Sequence, residues 1–91
     1  MQYRYLGKTG LSVSVLGLGT WLSVGQRLSN SDGARLLSQA YDGGINLFDT
    51  AQNYGWGQAQ TALGRTIRDA GWQRDTYSLC SKAFYGANPA V

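Results

Sequence analysis

Apolar and polar residues alternate from Tyr3 to Leu6 and again from Leu11 to Val15, on either side of Gly7-Lys8-Thr9-Gly10. Alternation is the period of a half-buried strand, so two such runs around a glycine-flanked turn predict a β-hairpin over residues 1–15. Leu16-Gly17-Leu18-Gly19-Thr20-Trp21 is instead a continuous apolar run, the pattern of a strand buried on both faces. The pattern changes at Ser23. Ser29 and Asp32 have the spacing of a capping box, with Asp for the usual Glu, and Leu36, Leu37, Ala40 and Tyr41 then recur at helical spacing until Gly43-Gly44. Ile45-Asn46-Leu47-Phe48-Asp49 is a short apolar strand ending in a carboxylate, and a glycine-rich loop with Tyr54, Trp56 and Gly57 follows it. Ala59, Ala62, Leu63, Thr66, Ile67 and Ala70 share one face of a second helix, which Gly71 closes. After a turn at Gln73-Arg74-Asp75, Tyr77 to Ala83 predicts a third strand, and Asn88-Pro89-Ala90-Val91 a loop.

Residues 16–91 thus read strand, helix, strand, helix, strand. A βαβαβ chain lays down three adjacent parallel strands with its helices on one side, because parallel crossovers are right-handed. The fold class is α/β. The other sheet face and both edges are left bare, and an uncovered third strand bearing Leu79 and Cys80 would template aggregation. Either a partner covers it or the chain is part of something larger. The two βα units are alike in length, as the units of an α/β barrel are.

Composition narrows the picture. With 91 residues, 43% hydrophobic and 14% charged, the chain is built like one soluble globular domain at most. Thirteen glycines against the single Pro89 suit many short elements joined by turns. The net charge is +3, but the basic residues are dispersed and form no run of the kind nucleic acids need. No segment is long and apolar enough for a bilayer, and Arg4 and Lys8 flank a strand-like stretch where a targeting peptide would be apolar. With no histidine and only Cys80, neither a disulfide nor a Cys/His metal site can be built, so the expected setting is reducing and cytoplasmic. Cys80 lies in an apolar run and reads as a small buried hydrophobe, and Trp72 reads as core.

Three polar groups fall where a parallel sheet carries its chemistry: Asp49 at the carboxyl end of the second strand, Tyr54 in the following loop, and Lys82 near the carboxyl end of the third. Adjacent strands lie about 4.8 Å apart, so an Asp49–Lys82 ion pair is expected. An ammonium beside a phenol favours the phenolate and so makes the phenol a better proton donor. Residue types alone favour a structural reading, in which Asp49 ends a turn, Lys82 is solvated and Tyr54 packs. Gly17-Leu18-Gly19 is only a weak signal for a dinucleotide fingerprint, since Leu22 takes the third glycine position and the helix starts only near Ser29. Trp21 and Trp56 follow strand ends and serve equally as pocket walls or as packing.

Taken together, Leu16-Gly17-Leu18-Gly19-Thr20-Trp21, Gly44-Ile45-Asn46-Leu47-Phe48-Asp49-Thr50-Ala51 with Tyr54, Leu63-Gly64, Gly71-Trp72 and Ser81-Lys82 closely resemble the aldo-keto reductase superfamily. The nearest branch is the one holding the voltage-gated potassium channel β subunits and their bacterial relatives. The similarity runs in register through nearly all 91 residues. It implies a (β/α)8 TIM barrel, of which this chain would supply the hairpin that closes the amino-terminal end plus the first three strands and two helices, since such barrels need about 250 residues. It further implies that Asp49, Tyr54 and Lys82 are three of four catalytic residues, the fourth lying beyond Val91. Tyr54 would then be the general acid and NADPH the hydride donor. Thr20 and Trp21 match positions lining the nicotinamide end of the cofactor, and Asp49 borders the ribose. Arg27, preceded by Gln26, stands where the channel branch has a cofactor-contacting glutamine. The family's main grip on the adenosine phosphate comes from later strands. By position, Trp21, Trp56, Phe84 and Tyr85 would offer aromatic walls to an apolar aldehyde or ketone.

Three functional expectations follow. The first is the amino-terminal third of an NADPH-dependent carbonyl reductase, acting on a small-molecule carbonyl. The second is a nucleotide-binding regulatory subunit that docks on a membrane channel or assembles with copies of itself, although no docking element is recognisable before Tyr3. The third is a barrel remnant with no activity of its own, because a barrel lacking five strands does not close.

Overall fold

The computed structural model describes residues 1–88, so the loop expected at Pro89 to Val91 lies outside the described residues. Strands β1 (Tyr3–Tyr5) and β2 (Ser12–Ser14) pair antiparallel with Arg4 opposite Val13. Gly7 and Gly10 take positive φ in the turn between them, as the glycine spacing requires. Strands β3 (Leu18–Gly19), β4 (Leu47–Asp49) and β5 (Ser78–Cys80) form a parallel sheet in that order. Helices α1 (Asn30–Asp42) and α2 (Gln58–Ala70) are the crossovers. The expected α/β architecture is therefore present.

Local chemistry accounts for the helix limits. The Ser29 side chain accepts a hydrogen bond from the Asp32 amide at 3.1 Å, which satisfies one of the orphan donors at the start of α1. Gly71, at φ 70°, caps α2 in the left-handed conformation, its amide reaching back to the Arg68 and Ile67 carbonyls. Between helices and sheet, Val24, Leu37, Phe48 and Leu63 form the buried core. Trp72 joins it as expected, stacked on Tyr41 at 4.1 Å between ring centroids and tilted against Phe48 at 5.1 Å. The molecule measures 40 × 29 × 19 Å, and its least dimension fits one helix layer on one sheet layer. The hairpin sits at the amino-terminal approach to β4. Asn46 accepts from the Ser14 amide and donates to the Ser12 carbonyl, and the Tyr3 hydroxyl donates to the Gly44 carbonyl.

Two expectations about burial are corrected. The run from Leu16 to Trp21 is not a strand buried on both faces: only Leu18–Gly19 lie in the ladder, and Leu16 is 60% exposed. Within the described residues β3 has β4 on one side only, and its second face carries no covering layer. Cys80 is exposed rather than buried. Register explains this. Phe48 points into the core, and its in-register neighbour Leu79 shares that face, so Gly19, Asp49 and Cys80 project from the opposite, open face. Leu79, on the edge strand β5, remains 42% exposed.

The sequence pattern marked only a change at Ser23. There the chain forms an irregular turn over Ser23–Arg27, with Leu22 at φ 63° and Gly25 at φ 74°, packed against the first turn of α2. A Cβ on Gly25 would lie 2.4 Å from the Gln58 carbonyl oxygen, so only glycine permits this approach. Gly64, in the middle of α2, has nothing within 4 Å of the same position. In urea unfolding of the intact protein, Gly25→Ala should therefore cost about 2–4 kcal/mol through clash and backbone strain. Gly64→Ala should stabilise by about 0.5–1 kcal/mol through helix propensity alone.

Candidate active site

Parallel register sets Gly19, Asp49 and Cys80 level with one another at the carboxyl end of the sheet. Backbone bonds continue past the strand ends: the Thr20 amide donates to the Asp49 carbonyl at 3.0 Å, the Thr50 amide to Cys80 at 2.8 Å, and the Gln52 amide to Lys82 at 2.9 Å. These bonds fix where the next side chains emerge. Lys82 reaches back over β4, and its Nζ donates to Asp49 Oδ1 at 3.0 Å, Asp49 Oδ2 at 3.1 Å and the Thr50 carbonyl at 2.8 Å. The Tyr54 hydroxyl lies 3.4 Å from the same Nζ, which also sits 5.0 Å from the centre of the phenol ring. The three polar residues singled out in the sequence therefore meet around one ammonium.

The pair is not sealed from solvent, since the Lys82 and Asp49 side chains keep 53% and 43% of their exposure. Its strength rests on geometry rather than burial, because the Asp49 carboxylate and Thr50 carbonyl direct three acceptor oxygens at one cation. The Lys82 pKa is accordingly raised above the ordinary lysine value. The hydrogen bond to Asp49 is the main cause, partial desolvation opposes it, and Tyr54 adds a smaller rise. Lys82 stays an ammonium throughout the neutral and mildly alkaline range.

The remaining expected site residues are spread around this centre. Trp21 faces Tyr54, with ring centroids 6.5 Å apart and planes tilted by 37°, and is 66% exposed on the open side. Thr20 is fully buried and its hydroxyl donates to the Asp49 carbonyl at 3.1 Å, so it braces the strand ends. Arg27 is exposed, whereas its neighbour Gln26 turns inward and donates to the Thr20 carbonyl at 3.1 Å. Trp56 is 52% exposed in a one-turn loop, at φ 54° between Gly55 at φ 58° and Gly57 at φ 96°. Phe84 and Tyr85 pack edge to face on each other, 4.9 Å apart, and are 87% and 71% exposed. A cavity of about 320 Å³ beside Lys82 is lined by Gln52, Gln60, Ser81, Lys82 and Ala83, and Asp49, Tyr54 and the four aromatic residues are not part of its lining. Sequence reasoning missed Gln26, the Thr50 carbonyl and the Gln60 side chain, whose Nε2 donates to Ser81 Oγ at 2.6 Å just before Lys82. Backbone acceptors and distant polar pairs leave no local pattern to read.

The donor set suits the nicotinamide-ribose end of a dinucleotide. Trp21 presents an uncovered flat ring beside Tyr54, and the Asp49 carboxylate keeps exposed surface that can accept from ribose hydroxyls.

The aldo/keto reductase family model matches residues 15–90. The chain belongs to the aldo/keto reductase family. Among solved structures it is similar to two from Pseudomonas aeruginosa described as aldo-keto reductases. One is 41% identical with a TM-score of 0.71 over 89% of this chain, and the other 40% identical with a TM-score of 0.77 over 94%. It is likewise similar, at 32% identity, a TM-score of 0.77 and 89% coverage of this chain, to a thermostable aldo-keto reductase solved in complex with the inhibitor epalrestat. The chain spans 30%, 32% and 30% of the length of these three structures. It thus corresponds to part of the family fold, as the barrel expectation requires.

The raised pKa of Lys82 has a testable sign. The stabilisation from its contacts is complete below the ordinary lysine value and is lost as pH rises through the raised one. Asp49→Asn removes the largest cause and should lower the Lys82 midpoint, read from its ¹³Cε resonance in an NMR titration. An unmoved midpoint would mean that Asp49 does not hold the ammonium.

Proposed function

We propose that this chain supplies the proton-donating part of an NADPH-dependent oxidoreductase that reduces aldehydes or ketones to alcohols. The observation that carries the reading is the Lys82 ammonium, clasped by Asp49 and Thr50 and set 3.4 Å from the Tyr54 hydroxyl, beside the exposed face of Trp21. In this mechanism the bound reduced nicotinamide supplies the hydride. Tyr54 Oη hydrogen-bonds to the substrate carbonyl oxygen and passes its proton to that oxygen as negative charge builds there. Lys82 stabilises the phenolate that remains, and Asp49 keeps the ammonium charged and aimed. Thr20 holds the end of β3 against β4, which keeps Trp21 opposite the phenol. Trp56, Phe84 and Tyr85 would become pocket walls only when other parts of the barrel enclose them, with the hairpin over the far, amino-terminal end of the strands.

The motif resemblance to the potassium channel β-subunit branch supports a second reading, a nucleotide-binding regulatory subunit in a channel complex or homo-oligomer. The convergence of Asp49, Lys82 and Tyr54 on one exposed strand end favours the enzyme. Copurification with a channel together with negligible turnover would reverse that preference.

In the intact protein, Tyr54→Phe should lower kcat for carbonyl reduction by about 10²–10⁴-fold. The NADPH dissociation constant should stay within about twofold, because the lost hydroxyl serves the developing oxyanion rather than cofactor binding. Steady-state kinetics with a fluorescence titration of NADPH checks both. Unchanged turnover would remove Tyr54 as the acid.

A further inference from the structure

Gln26 lies where two strand-end loops touch. Its Nε2 donates to the Thr20 carbonyl at 3.1 Å and lies 3.4 Å from the Val24 carbonyl, so it holds the loop after β3. Its stem meets the loop after β4. A Cβ on Gly55, the residue after Tyr54, would lie 2.6 Å from Gln26 Cγ and 3.1 Å from its Cδ. The glutamine therefore occupies the space that any side chain at position 55 would need. Both loops also carry a residue other than glycine in the left-handed region, Leu22 at φ 63° and Trp56 at φ 54°. Such conformations persist only where neighbouring contacts over-determine them. The Tyr54 to Lys82 contact, at 3.4 Å, is the longest in the triad and so the most sensitive to a small shift of the Tyr54 loop.

We propose that Gln26 is a positioning residue, which locks the loop after β3 to the loop after β4 and thereby sets the Tyr54 hydroxyl against Lys82 and opposite Trp21. It acts through Tyr54 and touches neither the substrate nor the cofactor. The inference rests on the reductase reading for its kinetic consequence, but the geometric claim stands apart from it. Two features make the clamp specific to glutamine. The amide donor ties the β3 loop, and an unbranched stem of this length fills the notch over Gly55. Gln26→Met keeps the stem and loses the donor, while Gln26→Ala loses both.

The test uses the intact reductase. Gln26→Ala should lower kcat by on the order of 10–100-fold while the NADPH dissociation constant stays within about twofold, the signature of a misplaced acid rather than a lost ligand. Gln26→Met should fall between it and the parent. The ¹³Cζ resonance of Tyr54, assigned with Tyr54→Phe, should move in Gln26→Ala, which a loss of stability alone would not produce. Gly55→Ala should be less harmful in the Gln26→Ala background than in the parent, because the space is then vacant. Weakened NADPH binding with kcat unchanged would overturn the proposal, as would weakening of binding by the same factor as kcat. An unmoved Tyr54 resonance, or strictly additive Gly55 and Gln26 substitutions in urea unfolding, would overturn it too. If the parent reduces no carbonyl, the reductase reading fails, and the resonance and the double-substitution cycle still decide the role of Gln26.

Discussion

The ammonium of Lys82 must find its acceptors on a different strand, and the parallel register of β4 and β5 is what puts them in reach. Cys80 stands level with Asp49, and the backbone bonds from Thr50 to Cys80 and from Gln52 to Lys82 carry that alignment two residues further. A slip of one residue would send Asp49 into the apolar core and Phe48 to the open face, because successive strand residues point to opposite sides. Packing of Phe48 against Leu37, Val24 and Leu63 therefore protects the site's geometry as well as the fold. The chemistry depends on the core through this one alternation.

Around that rigid sheet end the loops are built by close backbone approach rather than by burial. Gly25 sits against the first turn of α2, and Gly55 lies under the stem of Gln26. Both use the left-handed conformation at positions where a side chain has no room. The aromatic residues these loops present, Trp21 and Trp56, remain largely exposed. The polar centre is thus assembled within this stretch of chain, while among the described residues Trp21 and Trp56 stay open to solvent. That division agrees with a family fold of which the chain spans about 30% of the length.

Much of this was legible in the sequence where the signal is local. The capping pair Ser29 and Asp32, the terminators Gly43-Gly44 and Gly71, and the alternation on either side of Gly7 to Gly10 located the helices and the hairpin. The Asp49, Tyr54 and Lys82 cluster was legible because strand ends in a βαβαβ unit have a known place, and the motif resemblance raised it above a structural reading. Burial was misjudged at Leu16 and Cys80 because apolar runs reveal hydrophobicity but not which neighbours will cover them. The turn at Ser23–Arg27 carried no periodicity, and Gln26 was hidden beside the more conspicuous Arg27. Contacts between residues distant in sequence, such as Gln26 with Gly55 or Gln60 with Ser81, arise only once the strands align.

The central claim is that the Asp49, Tyr54 and Lys82 cluster serves hydride addition to a carbonyl. Incubating the intact protein with NADPH carrying deuterium at the transferable C4 position and an aromatic aldehyde, then analysing the alcohol by mass spectrometry and NMR, tests it most directly. The account predicts one deuterium on the carbinol carbon and an exchangeable proton on its oxygen. Tight NADPH binding with no labelled alcohol across a panel of aldehydes and ketones would contradict it, and would move the protein to the class of nucleotide-binding regulators.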